Sequence, residues 1–342
     1  MSQQNNISKL QQWLESVWYR QGKGGFLLLP LMGFYCVING LQRWLYTTLQ
    51  KKVPCPVIVV GNITVGGTGK TPLTIYLVKL LEKAGYKPAI ITRGYGGNAT
   101  QWPQTVTANS DPNLVGDEAV LMATRTDVPV YAGANRLASI QQLLKETDCD
   151  VIISDDGMQH YRLARDIQIA VIDATRMLGN GYCLPAGPLR ESESRLGNCD
   201  FIVLNGGLKT NNKSGLSMKL FGDVLVNLKT AKEIPLSKLC DHSVNAITGI
   251  GNPQRFYKTL EQGGLRLHQF SFPDHHQFTT ADFQVNNDLD FVMTEKDAVK
   301  CKSFATDKFW YLPVSATMDN KFDSGLLEKL KDVVNTKENY YG

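Results

Sequence analysis

Short apolar runs alternate with stretches of helical periodicity from about residue 53 onwards. The apolar runs predict strands at 56–60, 88–92, 128–131, 151–154, 167–172, 244–248, 265–272, 289–294 and 309–314. The periodic stretches predict helices at 73–84, 117–124, 135–146 and 251–264. Strands that are apolar throughout and separated by helices are typical of a mostly parallel sheet covered on both faces. The pattern therefore predicts an α/β fold.

A polar, glycine-rich stretch at residues 205–217 divides this alternation into two parts. Such a composition indicates a linker or an exposed loop. Strands and helices resume after it, which predicts a second, smaller α/β unit. We therefore expect an amino-terminal, membrane-associated helical segment (1–50), a larger core (51–204) and a smaller carboxyl-terminal domain (205–342).

The amino-terminal segment has a different pattern. No charged residue lies between Lys23 and Arg43, and this gap of 19 residues approaches the length of a membrane-spanning helix. Pro30, Gly33 and Asn39 are expected to interrupt the apolar run, which has aromatic and basic flanks. These flanks favour a segment that lies in the membrane interface. The alternatives are a hairpin packed on the protein's own core and a transmembrane helix.

Composition and charge exclude several classes of protein. Hydrophobic residues make up 43% of the chain and charged residues 20%, which is incompatible with intrinsic disorder. A net charge of +4 over 342 residues is too small for a protein that coats nucleic acid, so no nucleic-acid partner is expected. The seven cysteines contain no CxxC pair, which argues against a disulfide framework and against a cysteine zinc site.

The strongest chemical signal is VIVVGNITVGGTGKTPLTIYLVKLL, a strand followed by a glycine-rich turn and a helix. Backbone N–H groups of such a turn bind phosphate, the lysine reaches the terminal phosphates and the next hydroxyl binds Mg²⁺. Thr64 stands where the strict pattern has glycine, so the loop is a variant. We predict a P-loop NTPase-like fold that binds ATP through Thr64, Val65, Gly66, Gly67, Thr68, Gly69, Lys70 and Thr71.

Two adjacent aspartates, Asp155 and Asp156, follow the apolar strand at 151–154. The carboxyl ends of parallel strands surround bound ligands, so these carboxylates are candidates to hold Mg²⁺ together with Thr71. One of them could instead cap the following turn. The string TEKD at 294–297 is out of register with a guanine-recognition box, which favours ATP over GTP.

Other loop ends carry side chains suited to phosphoryl transfer. Asp117, in VGDEA, opens a helix and could act as a general base or only as an N-cap. The string PDHH at 273–276 follows an apolar strand and could supply a histidine. Arg190, in GPLRES, could neutralise charge on a γ-phosphate. The string TRGYGG at 92–97 suits a polar head group, although an exposed glycine turn has the same composition.

In this order along the chain, several strings resemble those of the tetraacyldisaccharide 4′-kinase family of Gram-negative bacteria. They are GNITVGGTGKTP, TRGYGG, VGDEA, AGANR, SDDGMQH, LPAGPLRE, FPDHHQF and TEKDAVK. The resemblance covers nearly the whole chain. It implies transfer of the γ-phosphate of ATP to the 4′-hydroxyl of an acylated disaccharide 1-phosphate. It also implies a peripheral or monotopic enzyme at the cytoplasmic face of the inner membrane.

The resemblance further implies roles for individual residues. The catalytic residues are then Asp117, His275, Lys70 and Arg190. Asp117 would take the hydroxyl proton while paired with a histidine, and the neighbouring His276 leaves the choice of that histidine open. Asp155 and Asp156 would act at the metal, and Arg93 and Tyr95 would hold the lipid head group. The competing functions are a soluble P-loop kinase or ligase and a membrane-tethered nucleotide switch.

Overall fold

The computed structural model describes residues 13–20, 24–206, 215–285 and 288–341. The chain divides into two compact units. The first contains Met1–Lys70, Asp156–Met218 and Met318–Gly342, and the second contains Thr71–Asp155 and Lys219–Thr317. The three-part division at residues 50 and 204 stays a prediction.

Fifteen strands lie in the described residues. They are β1 (Val57–Gly61), β2 (Pro88–Thr92), β3 (Gln104–Val106), β4 (Val130–Ala132), β5 (Val151–Asp155), β6 (Ile167–Asp173), β7 (Phe201–Asn205), β8 (Leu216–Phe221), β9 (Val224–Asn227), β10 (Glu233–Pro235), β11 (Ser243–Thr248), β12 (Arg266–Ser271), β13 (Phe291–Thr294), β14 (Phe309–Leu312) and β15 (Ser315–Met318).

Eight α-helices lie in the described residues, and four of them correspond to the helices predicted at 73–84, 117–124, 135–146 and 251–264. They are α1 (Leu29–Thr48), α2 (Lys70–Lys83), α3 (Pro112–Val115), α4 (Asp117–Arg125), α5 (Arg136–Glu146), α6 (Pro253–Gln262), α7 (Glu295–Cys301) and α8 (Asn320–Tyr341). A further helical turn covers residues 13–19.

In the first unit, β8, β7, β6 and β1 pair in this order and are all parallel. All five residues of β1 are buried, as expected for a strand covered on both faces. The predicted linker at 205–217 is wrong at both ends, because Asn205 ends β7 and Leu216 begins its neighbour β8. The middle of that stretch, 207–214, lies outside the described residues.

The second unit contains two sets of strands. In one, β5, β2 and β4 are parallel, and β3 is antiparallel to β4. The other is a six-stranded sheet of order β10-β9-β14-β13-β11-β12, in which the last four strands are parallel. Phe256, Tyr257 and Leu260 of α6 are buried in the core of this sheet, and each contributes about 1.5–3 kcal/mol. These parallel sheets confirm the predicted α/β class.

The amino-terminal helix α1 is continuous over 20 residues. The predicted interruption is wrong, because Pro30 lies in the first turn, where its missing N–H has no helical partner to lose. No residue of α1 is buried, and Phe26, Phe34 and Trp44 are each exposed by more than two thirds. This exposure argues against a hairpin packed on the protein's own core. Lys23 lies outside the described residues.

The apolar helical stretch Gly25–Thr48 is long and apolar enough to cross a membrane. Length and composition do not distinguish a spanning helix from one lying in the interface, since both expose apolar side chains to lipid. The exposed apolar surface supports contact with a membrane.

Candidate active site

The glycine-rich loop at 62–69 connects β1 to α2. Gly66 and Gly69 both have a φ angle of 93°, which residues with a side chain rarely adopt. A Cβ atom at Gly69 would lie 2.3 Å from Nδ2 of Asn205, which itself donates a hydrogen bond to the carbonyl of Thr68. The backbone therefore requires glycine at position 69.

A segment of the same unit supports this loop from one side. The N–H of Val65 donates to the carbonyl of Pro188 at 2.9 Å, and the N–H of Arg190 donates to that of Ile63 at 2.7 Å. Thr64 forms an antiparallel bridge with Leu189. A residue in such a bridge has an extended backbone that needs no glycine, which explains why the variant loop accommodates threonine.

Two cationic side chains converge on one carboxylate beside the loop. Nζ of Lys70 lies 3.4 Å from Asp156 Oδ1 and 3.4 Å from Oδ1 of Asn62. Nη1 of Arg190 lies 3.6 Å from Asp156 Oδ2. The structure therefore brings together three of the predicted site residues. Two cations next to a loop of backbone N–H groups are suited to a polyphosphate.

Asp155 lies at the end of β5 with its side chain fully buried. Its Oδ1 accepts a hydrogen bond from Oγ1 of Thr74 at 3.0 Å, and its carbonyl accepts one from Arg136 at 3.2 Å. Arg136 is only 2% exposed and also donates to the carbonyl of Gly133. These contacts hold Asp155 in one position at the carboxyl edge of its strand.

The residues predicted to hold Mg²⁺ offer oxygen ligands, which this ion prefers. They are the buried hydroxyl of Thr71 and the carboxylates of Asp155 and Asp156. Within the described ranges, no group of three or more histidine, cysteine, aspartate and glutamate side chains could hold a metal. Mg²⁺ in phosphotransferases is commonly bound by one or two carboxylates, water and substrate phosphates, so a small protein ligand set is compatible with it.

Asp117 is the first residue of α4, and its side chain meets that of His275. Nδ1 of His275 lies 3.2 Å from Asp117 Oδ1 and 3.1 Å from Oδ2. The N-cap of α4 is Gly116, whose φ angle is 94°. Asp117 is 5% exposed, and its Oδ1 also accepts from the N–H of Glu118 at 2.8 Å. The capping alternative is therefore wrong, and the pairing of Asp117 with a histidine that the family resemblance implies is present, with His275 as the partner.

His276 points elsewhere. Its Nε2 lies 3.3 Å from Oδ2 of Asp282, and its ring stacks on Phe272 with a centroid distance of 4.4 Å. It also packs against the edge of Phe278. The backbone explains the difference, because His275 has a φ angle of 60° and its side chain leaves the chain in another direction. Of the two adjacent histidines, only His275 contacts Asp117.

The surroundings of the Asp117–His275 pair shift the pKa values of both groups. Burial raises the pKa of Asp117, but the hydrogen bond from His275 and the charges of Lys296 and Lys300 hold it below its usual value. Burial and the charge of Lys296 lower the pKa of His275, but the hydrogen bond to Asp117 and the charges of Asp117 and Asp274 together raise it above its usual value. Asp117 is therefore ionised at neutral pH and able to accept a proton.

Tyr95 lies against the same histidine. Its ring centroid is 4.7 Å from that of His275, and the guanidinium of Arg93 lies 5.9 Å from the centre of the Tyr95 ring. More than half of the Tyr95 side chain is exposed. Tyr95, Asp117, His275 and Lys300 line one small cavity. Of the two predicted head-group residues, Tyr95 adjoins the Asp117–His275 pair and Arg93 lies against Tyr95.

Sequence reasoning missed several polar residues of these sites. Gln159 donates to the carbonyl of Asn62 at 3.1 Å and to Oε1 of the buried Glu191 at 2.8 Å. Lys296 lies 3.3 Å from Nε2 of His275. The missed residues are Asn62, Gln159, Glu191 and Lys296. All four occur in motifs quoted above, but nothing in those strings shows which polar residue points toward a site.

Comparison with known proteins identifies relatives over nearly the whole chain. The family model described as tetraacyldisaccharide-1-P 4′-kinase matches residues 25–331. The chain belongs to the tetraacyldisaccharide-1-P 4′-kinase family. A tetraacyldisaccharide 4′-kinase of Pseudoalteromonas atlantica is 49% identical over 311 residues, which cover 89% of this chain and 100% of the relative. One from Nitrosococcus oceani is 42% identical over 327 residues, 94% of this chain and 95% of the relative.

A crystal structure of this family supports the fold. The Aquifex aeolicus protein LpxK, described as an "apo" form in complex with ATP, is 28% identical to this chain. The two structures superpose with a TM-score of 0.74, and the matched region covers 90% of this chain and 99% of the Aquifex aeolicus chain. The family assignment therefore agrees with the described architecture.

Proposed function

We propose that this chain transfers the γ-phosphate of ATP to the 4′-hydroxyl of a tetraacyldisaccharide 1-phosphate, a step of lipid A biosynthesis. Membership of the 4′-kinase family and the relative crystallised with ATP support this activity. The observation that carries it is the buried carboxylate of Asp117, which is hydrogen-bonded to His275. A phosphate-binding loop alone serves many nucleotide-binding proteins, whereas a placed base indicates a hydroxyl acceptor.

ATP binds to the loop at 64–71 in this proposal. The loop's N–H groups surround the phosphates, and Lys70 neutralises charge on the terminal ones. Asp156 shares its carboxylate between Lys70 and Arg190, so it orients both cations. Arg190 stabilises the charge that develops on the transferred phosphoryl group.

Mg²⁺ accompanies ATP in this reaction. When bound, the ion neutralises charge on the phosphate oxygens and orients them. Thr71, Asp155 and Asp156 are the residues that would hold it. The hydrogen bond from Thr74 and the contact with Arg136 fix Asp155 beforehand, so little reorganisation is needed.

Asp117 accepts the proton of the sugar hydroxyl in this mechanism. A sugar hydroxyl is a poor nucleophile at neutral pH, and general-base catalysis contributes about 10²–10⁴ in rate. The hydrogen bond from His275 holds the carboxylate in one orientation. Tyr95, which packs against His275, and Arg93, which lies against Tyr95, contact the phosphorylated disaccharide head group.

The acyl chains of the substrate require the enzyme to act at a membrane. Each CH₂ group exposed to water costs about 0.8 kcal/mol, so a lipid with four acyl chains stays in the bilayer. The exposed apolar surface of α1 supports attachment to that surface. ATP is a cytoplasmic substrate, and we therefore assign the enzyme to the cytoplasmic face of the inner membrane.

An assay with labelled ATP tests the proposal. The protein is incubated in detergent with [γ-³²P]ATP and the acylated disaccharide 1-phosphate, and label in the lipid is measured. We expect label in the acylated disaccharide and much less in its deacylated form. Equal transfer to the deacylated sugar would indicate a soluble-substrate kinase, and release of label to water alone would indicate a nucleotide switch.

A further inference from the structure

Lys296 of α7 contacts the side of His275 that faces away from Asp117. Its Nζ lies 3.3 Å from Nε2 of His275, 3.0 Å from Oε1 of Glu118 and 3.2 Å from Oδ1 of Asp274. An ammonium group has three N–H donors and no acceptor. Lys296 therefore has one partner for each of its three donors.

The carboxylates around Lys296 keep it charged. Burial lowers the pKa of Lys296, but Glu118, Asp117 and Asp274 raise it by more, to well above its usual value. Lys296 is therefore an ammonium donor at any working pH. The nitrogen that faces it, Nε2 of His275, can form a hydrogen bond only as an acceptor. The ring proton of a neutral His275 then sits on Nδ1, which faces Asp117.

We propose that Lys296 is a positioning residue that opposes protonation of His275 and gives the neutral imidazole the tautomer whose Nδ1–H donates to Asp117. This inference rests on the proposed function, because it explains how the base of that reaction is kept ready. The hydrogen bond from Nδ1–H orients Asp117 without giving it a proton. A cationic His275 would instead form an ion pair with Asp117 and weaken it as a base.

The charged groups that face the Asp117–His275 pair come from three elements. His275 meets Asp117 from α4, Asp274 from its own loop and Lys296 from α7. Lys300, one turn after Lys296, lies 3.8 Å from Asp117 Oδ2. The two lysines of α7 thus reach the two members of the pair separately, one at the imidazole and one at the carboxylate.

Helix α7 is anchored to the segment that carries His275. Oδ2 of the buried Asp297 accepts hydrogen bonds from Oγ1 of Thr248 at 2.9 Å and from the N–H of Gly249 at 3.0 Å. The carbonyl of Gly249 accepts a hydrogen bond from the N–H of His275 at 3.3 Å. The left-handed backbone of His275, which costs about 1–3 kcal/mol, is held by such contacts. These hydrogen bonds therefore fix the position of Lys296 relative to the imidazole of His275.

Removal of the Lys296 charge has a predictable sign. The ammonium opposes protonation of Nε2, so Lys296→Met should move the His275 titration to higher pH. His275 is then cationic over a wider range, and the acidic limb of the kcat profile moves to higher pH with it. We expect kcat near neutral pH to fall about 10- to 100-fold, less than the roughly 10⁴-fold loss caused by a wrong histidine tautomer in a serine protease.

Three variants and one spectrum test this inference. In ¹⁵N-histidine-labelled wild-type protein, NMR should find His275 protonated on Nδ1 and not on Nε2. Lys296→Met should raise the His275 titration, Lys296→Arg should return it toward wild type because a cation is kept, and Lys302→Met should leave both titration and kcat unchanged. Lys302 is an exposed lysine close to α7.

Two results would overturn the inference. One is a wild-type His275 with its proton on Nε2, which needs no variant and so is independent of folding. The other is a folded Lys296→Met protein whose His275 titration and acidic limb match those of the wild type. Asp117→Asn separates this failure from failure of the proposed function. If Asp117→Asn loses transfer while Lys296→Met keeps the wild-type titration and kcat profile, only the role of Lys296 is removed.

Discussion

The phosphate loop and the Asp117–His275 pair are built in opposite ways. The loop at 62–69 lies between a strand and a helix that follow each other directly in the chain. Asp117 and His275 are separated by 158 positions and meet only through folding. One site is therefore encoded by a contiguous string, and the other depends on the packing of distant segments.

The two regions also differ in charge. Beside the loop, Lys70 and Arg190 share the single carboxylate of Asp156, which leaves an excess of positive charge. Around His275, three carboxylates, those of Asp117, Glu118 and Asp274, face the lysines of α7. The first arrangement attracts an anion, whereas the second keeps one carboxylate ionised and oriented. The difference shows that binding of an anion needs an excess of positive charge. A carboxylate that acts as a base needs neighbouring cations that balance the negative charges around it.

The largest expected effect tests the loop. Lys70→Ala removes a cation that neutralises the transferred phosphate, and we expect kcat/KM for ATP to fall by about 10³-fold. The measurement is transfer of label from [γ-³²P]ATP. Lys83→Ala, an exposed lysine at the other end of the same helix, should leave the rate unchanged. Near-normal transfer in Lys70→Ala would contradict the assignment of the loop.

The next effect tests the base. Asp117→Asn keeps the size of the side chain but cannot accept the proton, so we expect kcat to fall by about 10²-fold or more. The Kd for ATP should stay within a factor of about two, because the amide changes acid–base chemistry and not the loop. Asp127→Asn, an exposed residue shortly after α4, is the matched control. An unchanged kcat in Asp117→Asn would remove Asp117 from the role of base.

A smaller effect concerns attachment to the membrane. Asp substituted for Phe26, Phe34 or Trp44 places a charge on the apolar surface of the helical stretch Gly25–Thr48. We expect each change to weaken binding to anionic lipid vesicles by about tenfold or more, since burial of such a side chain contributes about 1.5–3 kcal/mol. Sedimentation with vesicles measures the bound fraction. Phe221→Asp alters another exposed aromatic residue outside the stretch Gly25–Thr48 and should bind like the wild type.

The smallest effect concerns the support of α7. Oγ1 of Thr294 accepts from the N–H of Asp297 at 3.2 Å and caps the helix. Thr294→Ala should lower the free energy of unfolding by about 1 kcal/mol, and Thr294→Ser should restore most of it. Chemical denaturation measures both changes. Equal stability of the alanine and serine variants would show that this cap does not hold α7.

Much of the fold follows from the hydrophobic pattern, because each buried strand and amphipathic helix is recorded in consecutive residues. The predicted strand at 88–92 coincides with β2, and the predicted helix at 135–146 differs from α5 by one residue. The short strands β3, β9 and β10 were not predicted, since three or four residues leave too little periodicity to detect. The longer elements β7, β8 and α8 were missed as well. The expected break in α1 failed because a first-turn proline does not break a helix.

The sequence by itself determined the α/β class, the phosphate loop with Lys70 and the family, because these depend on neighbouring residues and on the order of motifs. Only the tertiary structure decided that His275 rather than His276 meets Asp117, and that Lys296 occupies the other side of the imidazole. These choices depend on a left-handed backbone angle at one residue and on the packing of α7. Contacts between side chains so distant in the chain have no local pattern, since the folded backbone alone brings them within hydrogen-bond distance.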